Sequence, residues 1–502
     1  MNTTETINSD RVSTGIEGLD YILKGGLPRD RLYLLQGNPG TGKTTMALQF
    51  LLDGEAKGET SLYITLSESF NELIAVGKSH DWDLSAINIY DLTVSSDTLF
   101  DDSRYTVFHP SEVEMSETIK AILSEVERLN PTRIIVDSLS EIRMLASDAL
   151  RFRRQILALK HYFIGRKCTI ILLDDLTVQT SQRQLESIAH GVISLEYVPT
   201  EYGKQRHRLR VVKMRGVNFQ SGAHDFNIET GGIVVFPRLD SHEAKPPMPT
   251  GTIKSSLDDL EQLLGGLDYG TSTILTGPAG IGKSTMAITY VHNAAVNGIK
   301  SAVYLFDESV ETLYKRTSAL GLDVQKYVDA GTISVRQIKL AELTPGELAY
   351  MVSREVEKNN VRVVVIDSVN GYLMATPQER FLTMQFHELL GYLNSKGVVS
   401  ILVVGQYGLS GNMQSPIDMS YLADTVVLLR YFEAGGEVRQ AISVLKKRTG
   451  KHERTIREFR IDEGGIRIGQ PLSDFHGVLS GVPVYHGGDD GLMKKNGNGE
   501  GN

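Results

Sequence analysis

Two glycine-rich turns dominate what this chain can fold into. Gly37-Asn38-Pro39-Gly40-Thr41-Gly42-Lys43-Thr44 follows the apolar run "RLYLLQ", and Gly277-Pro278-Ala279-Gly280-Ile281-Gly282-Lys283-Ser284 follows "STILTG" 240 residues later. Both fit G-x-x-x-x-G-K-[ST] between a strand and a helix, the context that gives the pattern its meaning. The glycines let backbone N–H groups curl around phosphate oxygens. The lysine neutralises the outer phosphates, the helix start that includes Thr45 or Thr285 adds partial positive charge, and the hydroxyl of Thr44 or Ser284 is placed to ligate magnesium. Two matches in one register imply two triphosphate sites, with ATP and Mg2+ as the expected ligands.

The register extends beyond the loops. Gly25, Lys43, Glu68 and Asp83 answer Gly265, Lys283, Glu308 and Asp323 at a constant separation of 240, which shrinks to 230 for Asp137 and Asp367 and to 233 for Arg215 and Arg448. Varying loops around a persistent framework mark a tandem duplication. A chain of 502 residues is too long for one core, and "RLDSHEAKPPMPTG", with Pro246, Pro247 and Pro249, is a linker pattern. The expected domains are residues 11–245 and 246–475, with a flexible N-terminus over 1–10 and a largely disordered tail over 476–502.

Within each half, unbroken β-rich runs such as "RIIVDS" and "VRVVVID" alternate with helical patterns such as "KTTMALQFLLDGEAKG". Strands without polar alternation are buried on both faces, so the fold class is α/β, a mostly parallel sheet flanked by helices. Late segments such as "HRLRVVKM" and "RQAISVLKKR" alternate and are expected to pair antiparallel at the sheet edge. Composition excludes several classes. With 41% hydrophobic residues and no apolar run long enough to span a bilayer, a membrane protein is not expected. The polar N-terminus carries no signal-peptide pattern, which makes the cytoplasm the expected location. A net charge of −9 makes nucleic acid an unexpected partner. Cys168 lies in a strand-like run and reads as a small buried hydrophobe.

Each half carries the acids a metal-bound triphosphate requires. Asp137 and Asp367 end buried strands and are candidate magnesium ligands, or caps of the following turn. Glu68 follows the earlier strand pattern "SLYITL", and Asp307 with Glu308 follows "SAVYLF"; as catalytic candidates they would orient or deprotonate an attacking water or hydroxyl, and otherwise they would cap the helices that follow. Lys213 with Arg215, and Lys446 with Arg448, alternate so that each pair faces one way, either along a solvated strand edge or toward a neighbouring subunit's γ-phosphate.

The two phosphate loops, "STGIEGLDYILKGGLP", "HDWDL", the "VDS" and "IDS" strands, and "VVKMRG" with its partner "VLKKRTG" together resemble the KaiC family of double-domain ATPases and autokinases, itself within the RecA-like P-loop group. The resemblance spans about residues 11 to 475. It implies two tandem RecA-like P-loop NTPase domains and a homo-hexameric double ring with ATP at subunit interfaces. It also makes Lys213, Arg215, Lys446 and Arg448 trans contacts to a neighbour's ATP, gives serine/threonine autokinase activity to the second domain, and suggests a KaiB-like or sensor-kinase signalling partner. The chain departs from the family pattern in three places. Ser67-Glu68 stands for the first domain's Glu-Glu, Asp307 stands for a glutamate, and the autophosphorylation pair Ser-Thr becomes Ser420-Tyr421, leaving Ser420 as the candidate phosphoacceptor. Competing functions are a RecA-like DNA-dependent ATPase, for which no convincing basic aromatic segment is found, and an ATP-assembled signalling scaffold with little catalysis.

Overall fold

The structure is a computed structural model that describes residues 10–93, 110–146, 149–176, 182–199, 203–239, 248–339, 342–374, 382–406, 421–479 and 484–485. Ser420 lies outside them. The chain divides into two compact units at Arg238/Leu239.

In the first unit a short pair, β1 (Arg11–Val12) and β2 (Leu27–Pro28), precedes a nine-stranded sheet. Its strands are β3 (Leu32–Gly37), β4 (Ser61–Thr65), β5 (Asn88–Asp91), β6 (Arg133–Asp137), β7 (Thr169–Asp175), β8 (Gly191–Val198), β9 (Arg206–Met214), β10 (Ala223–Glu229) and β11 (Gly232–Phe236). Their spatial order is β11-β10-β9-β8-β3-β7-β6-β4-β5. The six strands from β8 to β5 are parallel, and β9, β10 and β11 extend them antiparallel.

The second unit repeats this plan. After β12 (Thr252–Ile253) and β13 (Leu267–Asp268) come β14 (Ser272–Gly277), β15 (Ser301–Leu305), β16 (Ile333–Gln337), β17 (Val363–Asp367), β18 (Val399–Gly405), β19 (Thr425–Ala434), β20 (Glu437–Lys447), β21 (Arg457–Asp462) and β22 (Gly465–Pro471). The order β16-β15-β17-β18-β14-β19-β20-β21-β22 is that of the first sheet, strand for strand. A further pair, β23 (Phe475–His476) and β24 (Val484–Tyr485), crosses from the end of the expected second domain into the stretch expected as a largely disordered tail.

Burial explains the two halves of each sheet. Every residue of β3, β4 and β6 is buried, because helices cover both faces and separate apolar clusters form on each. Strand β9 instead alternates buried with exposed positions. Cys168 is buried as expected; its thiol donates to Phe163 O, and burial pushes its pKa up to about 12.

The order places the P-loop strand β3 beside β7 and the strand of Asp137 on the far side of β7. The carboxyl ends of β3, β7, β6 and β4 therefore open on one edge, where crossover connections leave a crevice for ligands.

Candidate ATP sites at the carboxyl ends of the strands

Each P-loop runs into the helix that follows it through a left-handed glycine. Gly42 (φ 92°) precedes the helix Lys43–Ala56 and Gly282 (φ 103°) the helix Lys283–Val296. The backbone angle at Gly282 favours glycine, and a Cβ there would also lie 2.3 Å from Ile461 Cδ1, so that side chain would have to move. Neither helix start has a side-chain cap, and neither carries an acid in its first turn. Its first N–H groups and positive dipole end are thus left to an anion.

The metal candidates come together. In the first unit the Thr44 hydroxyl sits among Asp137, Glu68 and the Tyr63 phenol, and Tyr63 Oη donates to Asp137 Oδ2 at 2.5 Å. In the second, Ser284 hydrogen-bonds to Asp367. Burial raises the pKa of both aspartates. A hydroxyl beside a carboxylate is the hard oxygen donor set that suits Mg2+.

The acids after β4 and β15 do not cap the following helices. Ser69 caps Phe70–Ser79 in a capping box with Glu72, and Ser309 caps Val310–Ala319. Glu68 is left facing the P-loop with Oε2 buried and without a hydrogen-bond partner among the described residues. Burial, then the nearby Asp137, raises its pKa. Asp307 accepts from Ser368 at 2.5 Å. Glu308 is held by Arg316 in a two-pronged ion pair, Nε to Oε1 at 3.1 Å and Nη2 to Oε2 at 2.8 Å.

The P-loop lysines differ as well. Lys43 Nζ donates to the carbonyls of Gly37 and Asn38 and pairs with Asp175 at 2.7 Å. Lys283 Nζ donates to Gly277 O and Pro278 O, but β18 ends in Gly405 where β7 ends in Asp175. Burial pushes the Lys283 pKa down to about 8 against the opposing pull of Asp367.

The late cations of each unit reach back to their own backbone. Lys213 donates to Glu186 O, Arg215 to Ser187 O at 2.7 Å, and Lys160 to Ile188 O at 2.7 Å, so three cations take successive carbonyls ending the helix Gln182–Ile188. Lys446 donates to Ala423 O, and Arg448 to Tyr421 O and Asp424. Within each pair, both cations approach the same short segment of chain.

Sequence reasoning did not single out Tyr63, Asp175, Lys160 or Arg316. Asp175 had a signal, since "TIILLDD" ends a buried run in acids as "RIIVD" does. Arg316 had none, because nothing in its helix pattern points to Glu308.

The family model described as "ATPase: KaiC" matches residues 12–240 and 252–473, one match for each set of strands. The circadian clock protein KaiC3 of Synechocystis sp. is 27% identical over 494 residues, covering 96% of this chain and 96% of that protein. The circadian clock oscillator proteins KaiC of Picosynechococcus sp. and Parathermosynechococcus lividus are 26% and 25% identical, over 94% of this chain and 92% and 87% of their own lengths. With two glycine-necked loops, two duplicated sheets and a family match across nearly the whole length, the chain belongs to the KaiC family of tandem RecA-like P-loop ATPases.

Proposed function

We propose that the chain is a Mg2+-dependent ATPase with two non-equivalent sites, whose second domain also transfers phosphate to its own Ser420. The observation that carries this reading is the convergence, in each unit, of a P-loop lysine, a hydroxyl-carboxylate pair and a glutamate at the carboxyl ends of one sheet. Domains of about 11–245 and 246–475 would be the working units, between a short N-terminal stretch and a C-terminal tail.

Thr44 with Asp137, and Ser284 with Asp367, would hold the magnesium ion, which when bound offsets negative charge on the phosphates. Lys43 and Lys283 would turn from their carbonyls toward the outer phosphates. The uncapped helix N-termini would orient the phosphate chain. Glu68 and Glu308 would position the attacking water or hydroxyl and take its proton, Glu68 aided by the burial that raises its proton affinity. Lys213, Arg215, Lys446 and Arg448 would act on the nucleotide of an adjoining copy in a homo-hexamer, leaving the carbonyls on which they now rest. The expected setting is cytoplasmic, with a KaiB-like or sensor-kinase protein as signalling partner.

The test is intact-mass and peptide mass spectrometry of protein incubated with Mg-ATP, alongside ADP release. The expected result is ADP production and one phosphate at Ser420. ADP production without phosphate at Ser420 would leave an ATPase and remove the autokinase. Retained ATP binding in the double variant Lys43→Ala/Lys283→Ala would remove the site assignment itself.

A further inference from the structure

The two candidate bases sit in opposite surroundings, and one residue makes the difference. The helices Phe70–Ser79 and Val310–Ala319 are both ten residues long, start 240 residues apart and follow the glutamates in the same way. At the matching position the first carries Val76 and the second Arg316. The Arg316 fork engages both oxygens of Glu308, and its remaining prong, Nη1, donates to Thr285 Oγ1 at 3.0 Å. One guanidinium thus ties the glutamate to the third residue of the P-loop helix. Thr45, the counterpart of Thr285, lies 3.4 Å from His80 Nε2 instead, and among the described residues Glu68 Oε2 has no hydrogen-bond partner, with Lys43 the nearby positive charge.

The geometry points to Arg316 as a positioning residue that restrains Glu308 and slows hydrolysis at the second site, conserving its ATP. The inference rests on the proposed function of these sites. In hydrolysis the water oxygen forms a bond to the γ-phosphorus as the bond to the bridging oxygen of ADP breaks, and the water proton passes to the glutamate. A carboxylate gripped at both oxygens by a guanidinium is less free to swing toward the water than one that is not so held. Arg316 also contacts Thr285, next to Ser284, the proposed magnesium ligand, so the restraint is anchored in the first turn of the helix that follows the P-loop. The first site, with valine in place of arginine, lacks this restraint.

The experiment uses the full chain with Lys43→Ala, which silences the first site, and compares steady-state ATP hydrolysis with and without Arg316→Val. Expected is a rise in kcat of about 3- to 10-fold, the scale of releasing one partly exposed ion pair, with KM changed less than about twofold. Loss of packing alone would lower kcat or raise KM. Arg316→Gln, which keeps a donor for Thr285 without the charged fork, should give the same rise, and adding Glu308→Gln should abolish it. A rate unchanged or lowered by both substitutions in protein that still binds ATP overturns the inference and leaves the ATPase standing. A Lys43→Ala chain that turns over no ATP either with Arg316 intact or with Arg316→Val, Glu308 being present in both, overturns the proposed function of the second site, and the inference with it.

Discussion

Lys43 and Lys283 show how one motif can place its lysine in two different surroundings. Lys43 has Asp175 as counter-ion, whereas Lys283 is buried against two carbonyls and its pKa falls to about 8. A triphosphate needs the lysine charged, so above that pH binding at the second site must take up a proton. Affinity there should fall as pH rises, by ~5-fold between pH 8 and 9 from the protonation of one group. Fluorescent-nucleotide titrations of the Lys43→Ala chain at pH 7, 8 and 9 would measure it. A flat profile would show that Lys283 stays charged in the empty site. For the empty protein the sign is reversed: the folded value lies below that of an unfolded lysine, so the contribution to stability grows as pH rises from about 8 toward the ordinary lysine value. Both lysines were legible in the sequence because the loop is a local pattern. The counter-ion was not, because Asp175 reaches Lys43 only through the pairing of β3 with β7.

At the scale of elements, the parallel strands could be read directly from their unbroken apolar runs, and the antiparallel extension from its alternation. Arg133 is an exception to that pattern. It opens β6, looks like a polar strand entry, and is nonetheless buried. Its guanidinium pairs with Asp53 at 3.0 Å and Glu59 at 2.5 Å, donates to the Phe50 and Ser13 carbonyls, and lies 4.7 Å from the centre of the Phe50 ring. Burial works against the Glu59 charge, but Arg29 and Arg133 still hold its carboxyl below the ordinary value. The second unit has Val363 at the matching strand start. Arg133→Met should therefore destabilise the first unit by roughly 1–3 kcal/mol, because it takes one cation from each acid, leaving Arg29 on Glu59 and Lys57 on Asp53, and removes the donor to the Phe50 and Ser13 carbonyls. Urea unfolding followed by a probe in the first unit would show it. A loss well under 1 kcal/mol would mean that solvent or a rearranged neighbour satisfies the acids.

For the whole molecule, duplication preserves the framework and varies what surrounds the phosphates. Both sheets share one strand order, yet Tyr63, Asp175 and Val76 in the first unit stand where Val303, Gly405 and Arg316 stand in the second. If the late cations work on an adjoining copy, Arg215→Ala should lower first-site turnover on the order of 10³-fold while its own P-loop still binds ATP. Mixing that chain with a Lys43→Ala chain, both carrying Lys283→Ala, should restore first-site turnover to about a quarter, because a ring of head-to-tail interfaces then joins an intact loop to intact cations at random. No recovery on mixing would place the arginine's effect within its own chain. The sequence by itself determined the duplication, the α/β framework, both phosphate loops and their acids, because each is a local pattern or a repeated one. Only the tertiary structure decided which acid meets which cation, since Asp175 with Lys43 and Arg316 with Glu308 and Thr285 are brought together by strand pairing and helix placement, which no short stretch of sequence encodes.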